Sequence, residues 1–299
     1  MEGCQSMQNS KVSKNVYIAQ KHIGSKFNVS KVAIHALLIA WAITTIAPLA
    51  WVIMNSFKSS SEILSSALSI PTKFNFDNFS ALRDYSQINI ARGFFNSLVI
   101  SGSVVVLVLV FGSMAAFVLG RFKFFLNGPI MMLLVASMLV PQFAVIIPNI
   151  KILQFFHFNN TYLAVIVPHT AGFLNFAIIM MAGFMKSLPI ELEEAAIIDG
   201  CSIPKIFIKI TLPLSKPILA TSGIMIFLWS YNDLLLPLVY LTGKLRPISV
   251  LLTQISSQFN TNYGAMMAAL TITIVPVIVL YIISQEYVIK GLTAGAVKG

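Results

Sequence analysis

Long apolar stretches, separated by short polar segments, dominate the pattern of hydrophobic and polar positions in this chain. Turn-forming residues divide the two longest stretches, at 159–161 and at 260–262. Each resulting segment is close to the ~20 apolar residues that a helix needs to cross the hydrocarbon core of a bilayer. None has the alternating polarity of a membrane β-barrel, so helix is the form that satisfies the backbone in lipid. The pattern predicts an all-α polytopic membrane protein with six transmembrane helices, at residues 33–54, 93–119, 128–148, 162–185, 218–241 and 264–285.

Composition agrees with this membrane class. Hydrophobic residues make up 57% of the chain and charged residues only 10%, whereas soluble domains carry about 25% charged residues. The net charge is +10, but the basic residues lie between apolar stretches, where they orient a membrane protein rather than bind nucleic acid. The two cysteines, Cys4 and Cys201, provide no disulfide framework. The four histidines are too dispersed for a metal site. We therefore expect membrane lipid around this chain, and neither a metal nor a cofactor bound to it.

The distribution of lysine and arginine predicts the orientation in the membrane. With the N-terminus inside, the inner segments hold 13 of the 20 basic residues and the outer segments hold 7. This bias places both termini in the cytoplasm. The predicted organisation is a positively charged N-terminal tail at residues 1–31, a transmembrane domain at 32–290 and a C-terminal tail at 291–299. The outer loop, from about residue 55 to 92, is expected to be the only sizeable external element.

A polar segment at residues 189–217 separates the fourth and fifth predicted helices. Pro189 suits the first turn of a helix, and the glutamates that follow it suit the positive N-terminal end of that helix. Gly200 is expected to end this helix in a left-handed conformation. Ser202 is expected to cap a second helix, which Pro213 then stops. The segment is therefore predicted to form a helix–turn–helix hairpin; an ordinary amphipathic helix on the membrane surface is the alternative.

The spacing within this hairpin resembles the EAA loop of ABC importer permeases, which docks onto the ATPase subunits. The motif reads E-A-A, three residues, Gly, nine residues and Ile-x-Leu-Pro. The residues in register are Glu194, Ala195, Ala196, Gly200, Ile210, Leu212 and Pro213. The two small alanines are expected on the exposed first arm, where they let a helix lie close in a partner's cleft. The resemblance extends over about residues 30–299 and is closest to the maltose-type branch, through the stretches 48–58, 96–98, 115–122, 141–148, 189–200, 228–238 and 291–299.

The resemblance implies a type I ABC importer permease fold with a cytoplasmic coupling helix, in a prokaryotic plasma membrane. Such a chain forms half of a translocation pore for a carbohydrate, with an oligosaccharide expected; a glycerol phosphate ester, a polyamine or a peptide is the alternative cargo. The implied partners are a second homologous permease, two ATPase subunits and an extracytoplasmic solute-binding protein. The chain has no G-x-x-x-x-G-K-[ST] phosphate loop, so it is not expected to be an enzyme, and ATP-Mg is expected on the partner ATPase. The implied ATPase-coupling residues are Glu193, Glu194, Ala195, Ala196, Asp199, Gly200 and Pro213.

Other candidate residues have weaker signals. Asp233 is the one acidic residue inside a predicted span, and intramembrane acids are usually functional. It is a candidate pathway-lining residue with Trp229 and Asn232, although a broken helix end facing water and an interfacial anchoring role for Trp229 are open alternatives. His169 is expected to make an interhelical hydrogen bond. The resemblance further implies that the C-terminal tail contacts the ATPase through Gly295 and Lys298; by composition alone, disorder without a role is the alternative.

Two functions of other classes are disfavoured by the same pattern. A proton- or sodium-coupled carrier needs ionisable residues in the middle of its spans, and five of the six predicted helices have no aspartate, glutamate, lysine or arginine. An intramembrane enzyme needs a cluster of catalytic side chains at one depth, and no such cluster is evident in the sequence.

Overall fold

The structure is a computed structural model, and it describes residues 29–71, 73–84, 89–258 and 262–296. Every element in these ranges is helical. The chain divides after Trp51 into two units, and the main hydrophobic core lies within the unit from Val52 onward. The helices are α1 Val29–Asn55, α2 Ser60–Ser65, α3 Asp77–Asp84, α4 Ile90–Arg121, α5 Asn127–Ser137, α6 Ile146–Phe155, α7 Leu163–Ser187, α8 Glu191–Ile198, α9 Ile203–Leu214, α10 Lys216–Asn232, α11 Leu235–Tyr240, α12 Ile248–Gln258 and α13 Tyr263–Ala296.

Four of the described helices are long and apolar enough to cross a membrane: α1, α4, α7 and α13. Two bent pairs raise the number to six if each pair is one span; they are α5 with the segment 142–155, bent by 98°, and α9 with α10, bent by 75°. The all-α, multi-span prediction is therefore confirmed, but two of the six predicted spans are not continuous helices.

The third predicted span, 128–148, is broken in its middle. Helix α5 ends at Ser137, and a 3-10 turn over Gln142–Val145 leads into α6. Pro141 lies at this break in an extended conformation. Proline has no amide hydrogen and disfavours helix in the residue before it, so a continuous helix through this point is blocked.

The fifth predicted span, 218–241, is also broken. Helix α10 ends at Asn232, and α11 begins at Leu235. Asp233 is extended, with ψ of 128°, and its carboxylate accepts hydrogen bonds from the backbone N–H groups of Leu235 and Leu236. Because Pro237 could not donate to the carbonyl of Asp233, a continuous helix would lose a bond here. The aspartate caps the new helix instead.

The core of the second unit lies where α4, α7 and α10 meet. Fully buried apolar side chains from these three helices form it; they include Val104, Val108, Ala177, Met181 and Ile226. Small residues allow the close approach, since a Cβ added to Gly120 would lie 2.9 Å from the Ala182 carbonyl oxygen. Close backbone contact through small residues is the usual way in which transmembrane helices associate.

A polar cluster fixes the start of α4 against two other segments. The Asn96 amide donates to the carbonyls of Lys244 and Arg246, at 2.9 and 3.0 Å, and accepts from the Tyr162 hydroxyl at 2.7 Å. Helix α12 begins beside this cluster, with the Ile248 N–H donating to the Ser97 hydroxyl. The segment at 55–92 was expected to be the only sizeable element at this end of the bundle; α12 is a second one, so that expectation is wrong.

The segment between α1 and α4 folds around a buried lysine. Lys58 is 0% exposed, and its Nζ donates to the Ser66 carbonyl at 3.1 Å and to the Ser69 hydroxyl at 3.3 Å. The Asn78 amide donates to the carbonyls of Ser56 and Lys58, both at 2.8 Å. A buried ammonium needs such partners, and these contacts order the described residues around Lys58.

Candidate functional site

The hairpin predicted at residues 189–217 is present, with a turn of defined geometry. Helix α8 ends before Gly200, whose φ is +78°. The Gly200 N–H donates to the Ile197 carbonyl, and the Cys201 N–H donates to the Ala196 carbonyl. These two bonds form a Schellman motif, which requires the left-handed conformation that glycine adopts most easily. The predicted role of Gly200 in ending the helix is confirmed.

The second arm differs from the prediction. Helix α9 continues through Pro213 to Leu214, so the expectation that Pro213 stops it is wrong. A π-helical turn over Phe207–Thr211 accommodates the proline, because the Leu212 N–H bonds to the Phe207 carbonyl, one residue further back than in an α-helix. Ser202 occupies the N-cap position, but its side chain makes no capping bond in the structure.

An ion pair fastens the hairpin to the end of α4. Arg121 Nε donates to Glu193 Oε1 at 2.8 Å, and the two side chains are only 6% and 12% exposed. The same carboxylate oxygen accepts from the Thr211 hydroxyl on α9 at 3.0 Å. Arg121 Nη1 donates to the Leu188 carbonyl just before α8 at 3.0 Å. Glu193 therefore holds both arms of the hairpin to α4, and its carboxylate faces the interior rather than a docking surface.

The outward face of the hairpin is small, acidic and apolar. Glu194, Ala195 and Asp199 are exposed, as expected for docking residues. Ala196 is buried, so the expectation that both alanines are exposed is wrong for Ala196. Ile198 at the tip of α8 is 86% exposed. Leu192 and Ile197 of the same helix are exposed as well, and a group of exposed apolar side chains is typical of a surface that meets a protein or a membrane.

A cavity of about 840 Å³ opens between the break of the third span, α7 and α10. Trp229, Asn232 and Asp233, the three candidate pathway residues, all line it. Sequence reasoning therefore placed three side chains at one site. It did not place Phe173, Asn175 and Phe176 of α7, which also line the cavity; their one common signal is that they lie within about one turn of an apolar helix.

A histidine links the wall of the cavity to the break between α10 and α11. His169 Nε2 lies 3.0 Å from Asp233 Oδ2, and its Nδ1 lies 3.0 Å from the Ser230 hydroxyl. The His169 side chain is only 1% exposed. The expected interhelical hydrogen bond is therefore present, and it joins α7 both to the last turn of α10 and to the break itself.

Three aromatic rings stand together on the cavity wall. The Trp229 ring contacts Phe176 edge-on, with centroids 4.7 Å apart, and Phe173 at 5.8 Å. Phe173 in turn lies 5.3 Å from the His169 ring. These contacts fix the orientation of the Trp229 indole, although that residue is still 38% exposed.

The C-terminal tail contact lies largely outside the described side chains. Helix α13 includes Gly295 and extends to Ala296, whereas Lys298 is not among the described residues. The first six residues of the predicted tail thus continue the last helix.

Comparisons with known proteins identify the family. The model of the family described as binding-protein-dependent transport system inner membrane component matches residues 108–294. The diacetylchitobiose uptake system permease protein of Streptomyces coelicolor is 36% identical over 88% of this chain and 88% of its own length. The arabinooligosaccharides transport system permease protein of Bacillus subtilis is 31% identical over 92% of this chain and 98% of its own.

A solved structure supports the same fold. A chain of a bacterial ABC transporter involved in the import of the acidic polysaccharide alginate superimposes with a TM-score of 0.75 at 20% identity, over 88% of this chain and 98% of that one. The family match and the identity to full-length relatives show that this multi-pass membrane chain belongs to the family of inner membrane components of binding-protein-dependent transport systems.

Proposed function

We propose that this chain is the permease subunit of an ATP-driven carbohydrate importer, and that its hairpin transmits the motion of a separate ATPase. The observation that carries this proposal is the hairpin itself. Glu193 and Arg121 fasten it to α4, while its other face displays Glu194, Ala195 and Ile198. An element held rigidly on one side and exposed on the other can move a helix bundle as one body.

The proposed partners are those that the resemblance to ABC importer permeases implies. A second homologous permease completes the pore. Two ATPase subunits, which bind ATP-Mg, contact the hairpins of the two permeases. An extracytoplasmic binding protein delivers the solute. In this scheme the separate ATPase subunits hydrolyse ATP. We further propose that the C-terminal tail contacts the ATPase through Gly295 and Lys298, because its sequence resembles the corresponding segment of the family.

The carbohydrate cargo is supported by the relatives' names, which refer to diacetylchitobiose and to arabino-oligosaccharides. The test is reconstitution of this permease with its partner subunits in proteoliposomes. We expect ATP-dependent uptake of at least one of these two sugars, with no uptake when ATP or the binding protein is omitted. Uptake of a polyamine or a peptide, with neither sugar transported, would reject the carbohydrate assignment.

Orientation can be tested with cysteine labelling in intact cells. If the hairpin is cytoplasmic, Cys201 reacts with a membrane-permeant thiol reagent and not with an impermeant one. A Ser66→Cys variant, made in a background without native cysteines, is expected to react with both, because Ser66 is exposed and the proposed topology puts the segment between α1 and α4 outside the cell. The measurement is mass-tag gel shift; labelling of Cys201 by the impermeant reagent in unbroken cells would invert the topology.

A further inference from the structure

The cavity beside α7 and α10 has the side-chain chemistry of a sugar site. Its described lining combines three aromatic rings with the amides of Gln142, Asn149, Asn175 and Asn232. Its volume of about 840 Å³ lies within the range of about 300–1,000 Å³ typical of small-molecule sites. A site of this kind suits a ligand that is apolar on one face and rich in hydroxyl groups at its edge.

Trp229 provides the apolar platform. The C–H face of a pyranose or furanose ring packs on a flat aromatic surface, and indole is the largest such surface among side chains. Phe176 and Phe173 contact the indole, with ring centroids at 4.7 and 5.8 Å. Because the ring is already oriented and partly exposed, binding a sugar on it requires little ordering of the side chain.

Two amides beside the platform can serve the hydroxyl groups. The Asn175 Nδ2 donates to the Ser137 hydroxyl at 3.0 Å, and its oxygen accepts from the Phe176 N–H. Asn232 uses one N–H for the Leu228 carbonyl and is exposed. Each amide has two N–H donors and an oxygen with two acceptor positions, so both retain capacity for a hydroxyl group of a bound sugar.

The charges at the cavity discriminate between classes of sugar. Among the described residues that line it, Asp233 is the one carboxylate, and none is lysine or arginine. A phosphorylated or uronic-acid sugar would meet the Asp233 carboxylate, which His169 already binds, and would find no lysine or arginine in this lining with which to pair, which disfavours it. A neutral sugar meets no such penalty.

We propose that this cavity is a binding subsite for a neutral oligosaccharide, with Trp229 as the stacking platform and Asn175 and Asn232 as hydroxyl partners. The proposal rests on the carbohydrate cargo proposed above and adds that this subunit itself holds the sugar during translocation.

The test measures the KM for uptake in the reconstituted transporter, with whichever of diacetylchitobiose or arabinotriose the parent imports. Trp229→Ala is expected to raise this KM at least tenfold, and Asn175→Ala about threefold or more. Trp229→Phe keeps a ring and is expected to stay within about threefold of the parent. The matched control is Phe155→Ala, which removes an exposed ring from α6 outside the cavity and is expected to transport like the parent.

A photoreactive diazirine derivative of the same sugar supplies a direct readout. It is expected to label residues of α7 or α10, with labelling suppressed by excess neutral sugar but not by an alginate oligosaccharide, and lost in Trp229→Ala. A parent that imports the neutral sugar while Trp229→Ala and Asn175→Ala leave KM and labelling unchanged would overturn the subsite alone. Equal competition by the alginate oligosaccharide would overturn its neutral specificity. A parent that imports neither neutral sugar would overturn the proposed cargo and, with it, this subsite.

Discussion

Replacing Arg121 by methionine is expected to separate the hairpin from α4 and to reduce ATP-dependent uptake at least tenfold. The variant leaves the Glu193 carboxylate buried beside Thr211 without its cation. Removing one partner of a buried ion pair typically destabilises a protein by about 3–5 kcal/mol, because the remaining charge is uncompensated. We expect the released hairpin to follow the ATPase without moving the helix bundle, so that ATP hydrolysis persists while uptake falls.

A double variant separates charge burial from a general packing effect. In Arg121→Met combined with Glu193→Leu no charge is left buried, so the loss of uptake and stability is expected to be smaller than in either single variant. Glu191→Gln, which neutralises an exposed carboxylate in the same turn, serves as the control. Limited proteolysis within α9 reports hairpin detachment independently of transport. If Arg121→Met leaves proteolysis and uptake as in the parent, the ion pair does not hold the hairpin.

Replacing Gly200 by valine is expected to distort the turn of the hairpin and to lower both uptake and stimulated ATP hydrolysis. The φ of +78° costs an L-residue about 1–2 kcal/mol, and more for a β-branched side chain. A penalty of this size changes a local equilibrium by about five- to thirty-fold. No atom lies within 4 Å of the added Cβ, so the effect comes from backbone conformation rather than from a clash.

The control for this prediction is Gly200→Asn, because asparagine tolerates the left-handed conformation and is expected to retain most of the activity. Gly128→Val provides a second control, at a helical glycine that also has open space around it. Membrane insertion is checked by the amount of protein in the membrane fraction. Equal uptake by the valine and asparagine variants of Gly200 would show that the Schellman turn has no part in coupling.

The sequence predicts the spans well because a long apolar run in lipid satisfies its backbone hydrogen bonds by forming a helix. It does not predict where a span breaks, since the break at Asp233 depends on His169, 64 residues earlier, and on Ser249 in α12.

The hairpin turn follows from local spacing, and Gly200 is placed correctly for that reason. The role of Glu193 could not be read locally, because its partner Arg121 lies 72 residues away. The aromatic wall of the cavity is not predicted either: Phe173 and Phe176 lie in an apolar helix, and the polar Asn175 between them does not by itself show which face of that helix borders the cavity.

Asp233 connects three helices through different atoms. Its carboxylate binds His169 of α7 and caps α11, while its main-chain carbonyl accepts from the Ser249 hydroxyl of α12 at 2.8 Å. The residue also borders the cavity, so an occupant that contacts it interacts with the point where these helices are joined. Thermodynamic linkage then works in both directions: if the joined arrangement differs between two states of the transporter, the factor by which an occupant favours one state equals the factor by which that state strengthens its binding. If the proposed subsite binds the solute, this one aspartate couples solute affinity to helix arrangement.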